Sequence, residues 1–544
     1  MTAPGAEHWA TAPEGQFATV ARNLSTRYVA IAAEIITGLV MLPFNLSHLG
    51  KDQYGLWVLL GSLTVHFSTL DLGYASGLVK FVAKYRAHRD ARALNEIAST
   101  LFCVFTGIAL VAYAIVMAVA FNLDWFFALT ADQAQLGQGV LLITGFYVAL
   151  NFPFSVFGGV ISGFQRYSIN NTMTVAVTIV VALTNVAVLL AGYGLLALVA
   201  ATTTVRVLAY IVYRRNAYRV FPALSIRPSL FRRHRLREVT GFSVYASIID
   251  WANKLNYQID QLIIGMFLGS AAVAVWAPAE RIAWGVQRMT NQLNGVLFPT
   301  VVDNHASEQR QKLQQILLEG TRLSLVMVIP VAVALIVLAD PLVRAWLGKQ
   351  AASVEGCIPV LQILAAAVTI RVGNATGTTV LKGAGEHRFL AWVNLATGVV
   401  NAGLSILFIK RFGLVGVAFG TLLPVAASSM FILYPAACRR VGVPLRRALI
   451  ESLLPAFWPA VVVAALLAFT REISSGTLLA VAFQGAIGGV LYLALFFGLA
   501  ISKTDRAYYR SKVALLTGKR RFATASTVDA GADPAGADTA FAQE

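Results

Sequence analysis

The chain reads as an all-α polytopic membrane protein of about 14 transmembrane helices. They form two six-helix lobes related by a parallel repeat, with two C-terminal helices appended. Three observations predict this. Of 544 residues 57% are hydrophobic and 13% charged, where a soluble domain carries about 25% charged, so the chain cannot cover a water-facing surface. Apolar runs of about 20 residues, the length that crosses a bilayer, recur along almost the whole sequence. Short patterns also return at a spacing of 219 residues.

Residues 1–21 form a polar cytoplasmic lead, lacking the basic start, short apolar core and cleavage site of a signal peptide. Spans are expected near 26–46, 55–81, 97–121, 138–162, 168–191, 194–213, 241–268, 271–299, 321–340, 356–381, 388–409, 413–437, 450–469 and 477–501. The N-lobe is then 22–213 (spans 1–6), followed by a basic cytoplasmic linker at 214–240. The C-lobe is 241–440 (spans 7–12), the appended pair 441–502, and the tail 503–544. The tail is basic at first, then rich in Ala, Gly, Asp and Thr with no apolar period, the composition of a disordered segment.

Charge distribution sets the orientation. With alternating connections and a cytoplasmic amino terminus, about 32 of the 43 Lys and Arg fall inside. Only Lys51, Arg344, Lys349, Lys410, Arg411 and Arg471 fall outside. Both termini of the multi-pass chain are therefore expected in the cytoplasm. The net charge of +17 is then a topology signal that meets anionic membrane lipids, and no nucleic-acid partner is called for. Cys103, Cys357 and Cys438 are isolated, without metal-ligand spacing, so no metal site is indicated.

The repeat pairs LGKDQYGLW at 49–57 with LGSAAVAVW at 268–276, and YGLLALVAATT at 193–203 with FGLVGVAFGTL at 412–422. ISGFQRY at 161–167 and LKGAGEHRF at 381–389 match one residue out of step. An even number of crossings separates the copies, so both insert the same way, and substrate sites in such transporters lie between the halves.

Residues 253–299 resemble the seventh and eighth helices of the bacterial polysaccharide flippases. These belong to the multidrug/oligosaccharidyl-lipid/polysaccharide superfamily. Asp260 stands before the run Ile263, Ile264, Gly265; a Leu268–Gly269 turn follows; and Phe298–Pro299 closes the segment. The segment 322–348, with Pro330 inside and Gly348 at its end, resembles the ninth helix, and LGKDQYGLW and 70–85 fit the first lobe. The resemblance implies export of undecaprenyl-pyrophosphate-linked oligosaccharide by alternating access, for surface polysaccharide biosynthesis. It implies no enzymatic activity and a monomeric transport unit. Fourteen spans are also found in the peptidoglycan-precursor flippases, so that lipid cargo stays open, as does a cation-coupled multidrug antiporter.

Ionisable residues at bilayer depth cost roughly 2.5–3.5 kcal/mol each on insertion scales, so they are expected to face protein or a wet cavity. On span 7, Asp250 and Lys254 are four apart and can pair with one another; alternatively Lys254 holds an anionic head group. On span 8, Arg281 and Arg288 are seven apart, hence on one face, and guanidinium groups suit bidentate phosphate recognition. Glu280 can satisfy Arg281 but not Arg288. Arg371 on span 10 completes the substrate-binding set of Lys254, Arg281, Arg288 and Arg371, and Arg206, near the cytoplasm, can snorkel instead. Asp260, near the outer end, is expected to serve the fold. Glu34, Asp71, Asp250 and Glu280 are the candidates for charge compensation or for coupling to a proton or sodium ion. Hydrogen bonding to backbone at Gly73 explains Asp71 equally well. Trp125, Phe126 and Trp346, in outer connections, are expected at the membrane interface. No DxD or HExxH pattern supports a glycosyltransferase or metallohydrolase.

Overall fold

The computed structural model describes residues 16–473, 476–501 and 506, with the side chains of 16–18, 20, 21, 69, 241–257, 289–293 and 296 outside that description. All regular structure among the described residues is helical. The first lobe holds α1 (Gln16–Phe67), α2 (Tyr74–Ala87), α3 (Ala91–Ala120), α4 (Ala131–Gly163), α5 (Tyr167–Leu190) and α6 (Leu195–Val220). The second holds α7 (Arg233–Leu268), α8 (Ser270–Ala306), α9 (Arg310–Val337), the short α10 (Ala339–Leu347), α11 (Cys357–Gly373), α12 (Ala375–Gly383), α13 (His387–Ala427) and α14 (Tyr434–Val441). Helices α15 (Leu454–Thr470) and α16 (Leu478–Leu495) are appended.

Among the described residues ten helices are long and apolar enough to cross a membrane. Two of them, α1 and α13, contain a non-helical glycine, Gly50 and Gly413, and each makes two crossings. Adding the charge-bearing α7 and α8 gives fourteen. The second crossing is not one helix as expected: it breaks at 68–73, where Leu72 and Gly73 take positive φ before α2 begins.

The repeat has a backbone signature. Gly50 (φ 73, ψ 172) and Gly269 (φ 80, ψ −179) stand 219 residues apart and make the same left-handed turn between paired helices. An L-residue would be strained there. A Cβ at Gly163 would overlap Val82, and one at Gly383 would overlap Val301, the residue 219 after Val82.

Core packing differs between the two ends of the bundle. At the end rich in Lys and Arg each lobe has its own core: Leu94, Ile97, Val156 and Phe157 in the first, and Leu317, Val380, Tyr434 and Val441 in the second. At the cation-poor end one core runs through both lobes, with Leu46, Leu56, Leu59 and Leu60 packed in the same cluster as Ile263, Ile264, Val273 and Trp276. The lobes share a core at one end and keep distinct cores at the other, where the start of α7 packs with the first lobe.

The linker is not a loose connection. Ser225 N–H donates to Asn95 Oδ1 (2.9 Å), Asn95 Nδ2 donates to the Ala223 carbonyl (2.9 Å), and Arg232 N–H donates to Thr100 Oγ1 (3.0 Å). Buried Glu96 pairs with Arg235 at 3.2 Å, and that guanidinium lies 4.9 Å over the Tyr85 ring. Burial alone would raise the Glu238 carboxyl. Hydrogen bonds from Tyr85 (2.6 Å) and Lys84 (2.9 Å) outweigh it and hold that group below the ordinary carboxylate value. A depressed carboxylate stabilises the fold fully above its unfolded pKa and loses that contribution as pH falls through the folded value.

Arg235→Ala strands Glu96 in a buried site, with Arg92 and Arg232 as poorer partners. It should cost roughly 2–4 kcal/mol, read as a lower Tm in detergent, whereas Arg92→Ala, whose side chain is exposed, should change Tm little.

Candidate functional site

A cavity of about 620 Å³ lies between the lobes, lined by α1, α5, α6, α7 and α8. That falls within the ~300–1,000 Å³ of sites that enclose a small ligand. Polar residues three, four or seven apart on otherwise apolar helices, such as Gln258 and Gln261 or Arg281 and Arg288, share one face and build it. From the first lobe come Glu34, Asn45, Trp57, Asn185 and Arg206, and from the second Gln258, Glu280, Arg281, Trp284 and Arg288.

Arg281 is the centre of this surface. It projects from α8 across the lobe boundary, and its guanidinium lies directly over Gly38 of α1, in the space a Cβ would fill. Among the described residues it makes no hydrogen bond or ion pair. Neighbouring Glu280, 9% exposed, does not neutralise it by direct contact, because its carboxylate accepts a hydrogen bond from Gln261 of α7.

Arg288 is held differently. Its Nη1 lies 3.3 Å from Glu34 Oε2, so one ion pair bridges the lobes on the cation-rich side of the cavity. Both side chains are about half exposed, at 51% and 40%, and such a pair contributes about 0–1 kcal/mol. Glu34 was expected to be a buried carboxylate; its position at the cavity mouth explains why it is not.

Arg371 departs from expectation. It does not reach the central cavity but lines a separate void of about 30 Å³ with Asp260, Glu280, Gln287 and Thr421. That void suits a water molecule or two, and Glu280 lines both spaces. Asp260 is buried and accepts from Thr421 Oγ1 at 2.8 Å. Thr421 sits beside Asn401, itself bonded by Ser405 at 3.1 Å. Asp71 is half-buried rather than deep, and accepts from Gly73 N–H (3.1 Å) at the break before α2. It lies off the cavity, as the backbone-capping reading requires. The side chains of Asp250 and Lys254 lie outside the described residues.

Several cavity residues stand outside the substrate-binding set expected from the sequence. Arg206 lies 5.7 Å from the Tyr147 ring centre and faces the cavity rather than only the membrane surface. Asn45 and Asn185, 4% and 5% exposed, each turn a side-chain oxygen without a hydrogen-bond partner into its wall. Asn45 stands two residues after Pro43, a pairing of helix breaker and amide within an apolar run that marked the position.

A family model described as polysaccharide biosynthesis protein matches residues 49–355, more than half of the chain. The succinoglycan biosynthesis transport protein ExoT of Rhizobium meliloti is 28% identical over 175 residues, 32% of this chain and 34% of that protein. The probable flippase AglR of Haloferax volcanii is 22% identical over 421 residues, covering 76% of this chain and 82% of that one. Among solved structures, the lipid II flippase MurJ in an inward closed conformation superposes with TM-score 0.68 at 13% identity, over 89% of this chain and 99% of the other. An inward-facing multidrug resistance MATE family transporter gives TM-score 0.59 at 16% identity, over 78% and 98%. These structural likenesses establish the fold.

Thr421→Val keeps the shape of the buried Asp260 site but removes the hydroxyl that donates to it. It should destabilise the protein by about 1–3 kcal/mol, seen as a lower unfolding midpoint, with Thr421→Ser close to the parent.

Proposed function

Because the chain belongs to the polysaccharide biosynthesis protein family, we propose that it is a flippase for lipid-linked oligosaccharide. It carries an undecaprenyl-pyrophosphate-linked glycan from the cytoplasmic to the outer leaflet of the inner membrane by alternating access. The cation-rich end is cytoplasmic in this reading, as charge asymmetry requires of short connections. The single observation that carries it is Arg281, a guanidinium that makes no ion pair among the described residues, held against Gly38 in a cavity between the lobes. A fixed, charged fork in such a place suits a phosphate group, which accepts two parallel N–H bonds.

Arg206 and Arg288 share the wall, so three arginines face two glutamates, and the surface favours an anion. A cationic drug would meet net repulsion there, which disfavours the antiporter reading. The volume encloses a pyrophosphate and the first sugars, leaving the polyprenyl tail in lipid. Proton or sodium coupling acts at the Glu34–Arg288 bridge: a cation bound to Glu34, or an anionic head group arriving at Arg288, breaks this ion pair between the lobes and loosens the cytoplasmic mouth.

Arg281→Ala should abolish export of the glycan to the cell surface, with the protein present in the membrane at parental level, and Arg288→Ala should reduce it at least tenfold, about 1.4 kcal/mol. Unchanged surface glycan in both variants removes the arginines from the site. Glu34→Gln should make transport in vesicles insensitive to collapse of the proton or sodium gradient; retained sensitivity excludes Glu34 as the coupling group.

A further inference from the structure

We infer that Trp346 is a positioning residue that latches α1 at Leu39 to the second lobe and holds the cavity shut at its outer end. This rests on the alternating-access reading above. The reasoning starts from Pro43, inside α1. In an α-helix the carbonyl of residue i accepts the N–H of residue i+4. For Leu39 that partner is Pro43, which has no N–H. The Leu39 carbonyl is thereby orphaned in the middle of a membrane-crossing helix, where lipid offers nothing to satisfy it.

Trp346, on α10, supplies the missing donor. Its Nε1 donates to the Leu39 carbonyl at 3.0 Å across 307 residues of sequence. Trp346, expected at the membrane interface, is half-buried with its N–H committed to another lobe, whereas Trp125 is 82% exposed.

Two further observations give the bond its meaning. Helix α10 is braced, because Arg344 bonds Asp340 at 2.7 Å and Glu355 at 2.8 Å. Arg471, from the connection between the two appended helices, lies 3.6 Å from Asp340. Leu39 also follows Gly38, the residue against which Arg281 rests, and it lines the cavity itself. One turn of α1 thus touches the cargo-facing arginine and, beside it, the outer latch. An outward-opening motion that draws α10 from α1 must surrender the indole bond and leave the Leu39 carbonyl to water entering the cavity.

The test measures access rather than transport. In a background with Cys103, Cys357 and Cys438 replaced by Ser, Asn45→Cys places one reporter thiol in the cavity wall. A membrane-impermeant maleimide is then added to the outer face of intact cells. Trp346→Phe, which keeps the ring and loses the N–H, should raise the labelling rate about fivefold, the scale of one lost hydrogen bond. With Pro43→Ala also present, residue 43 regains an N–H for Leu39, and Trp346→Phe should then change labelling less than about twofold. No increase in the Pro43 background overturns the latch. An equal increase in both backgrounds also overturns it, since the ring would then act by packing alone. Because no cargo is needed, a chain that moves a different substrate would still show the pattern, so the latch and the cargo reading fail separately.

Discussion

A charge inside a membrane protein must be met by something, and the arrangement of this molecule follows from how each such charge is met. Glu96 is met by Arg235, Arg288 by Glu34, Asp260 by Thr421 and Glu280 by Gln261. Arg281 makes no hydrogen bond or ion pair among the described residues and feels the neighbouring Glu280 carboxylate only through space, so its place in the cavity suits water or an anionic ligand. A cavity at that point is the condition under which the sequence can keep an arginine on α8 and still insert. The separation of the lobes at the cation-rich end, with a distinct core for each, provides that space.

The two ends of the cavity are closed by forces of different size. At the cation-poor end a continuous apolar core runs from Leu46 and Leu59 through Ile264 to Trp276, and burying each such side chain is worth about 1.5–3 kcal/mol. At the other end the cavity mouth is bridged, among the described residues, by the half-exposed Glu34–Arg288 pair, worth at most about 1 kcal/mol, while buried Glu96 ties the start of α7 to the first lobe. The cavity is therefore held more firmly at its cation-poor end than at its cation-rich mouth. Cargo that draws Arg281 and Arg288 inward would shift the balance only by interacting differently with the two states.

Much of the fold was legible in the sequence because its determinants are local. Apolar run length gives the crossings, and Gly50 and Gly269 mark their own turns through a φ that other residues avoid. The site was legible only in part. That Arg281 and Arg288 share a face follows from seven-residue spacing, and both line the cavity. Arg371 also sits at mid-depth, but depth does not say which side of α11 faces the cavity, and it opens instead on the void beside Asp260. Arg206 was underweighted for the converse reason: its nearness to a membrane surface allowed snorkelling, while the tertiary packing of Tyr147 steers it inward. Trp346 could not be read at all, since its partner is a backbone carbonyl 307 residues away whose availability depends on a proline.

Helix α7 belongs to both lobes, and this constrains how they can move. Its first turns are bound to the first lobe through Arg235 and Glu238. Its last turn meets the first lobe again, where Ala128 N–H donates to the Gly265 carbonyl at 3.2 Å; with Gly269 non-helical, that terminal carbonyl is open to such a donor. Between these ties its Asp260 is bonded to Thr421 of the second lobe. A rigid rotation of one lobe against the other would have to break one set. The tie at Glu96 involves a buried charge, which is costly to abandon, and at the other end the Ala128 bond is backed by Ile263 and Ile264 packed with Leu59 in the shared apolar core, so neither end of α7 leaves the first lobe for the loss of one hydrogen bond.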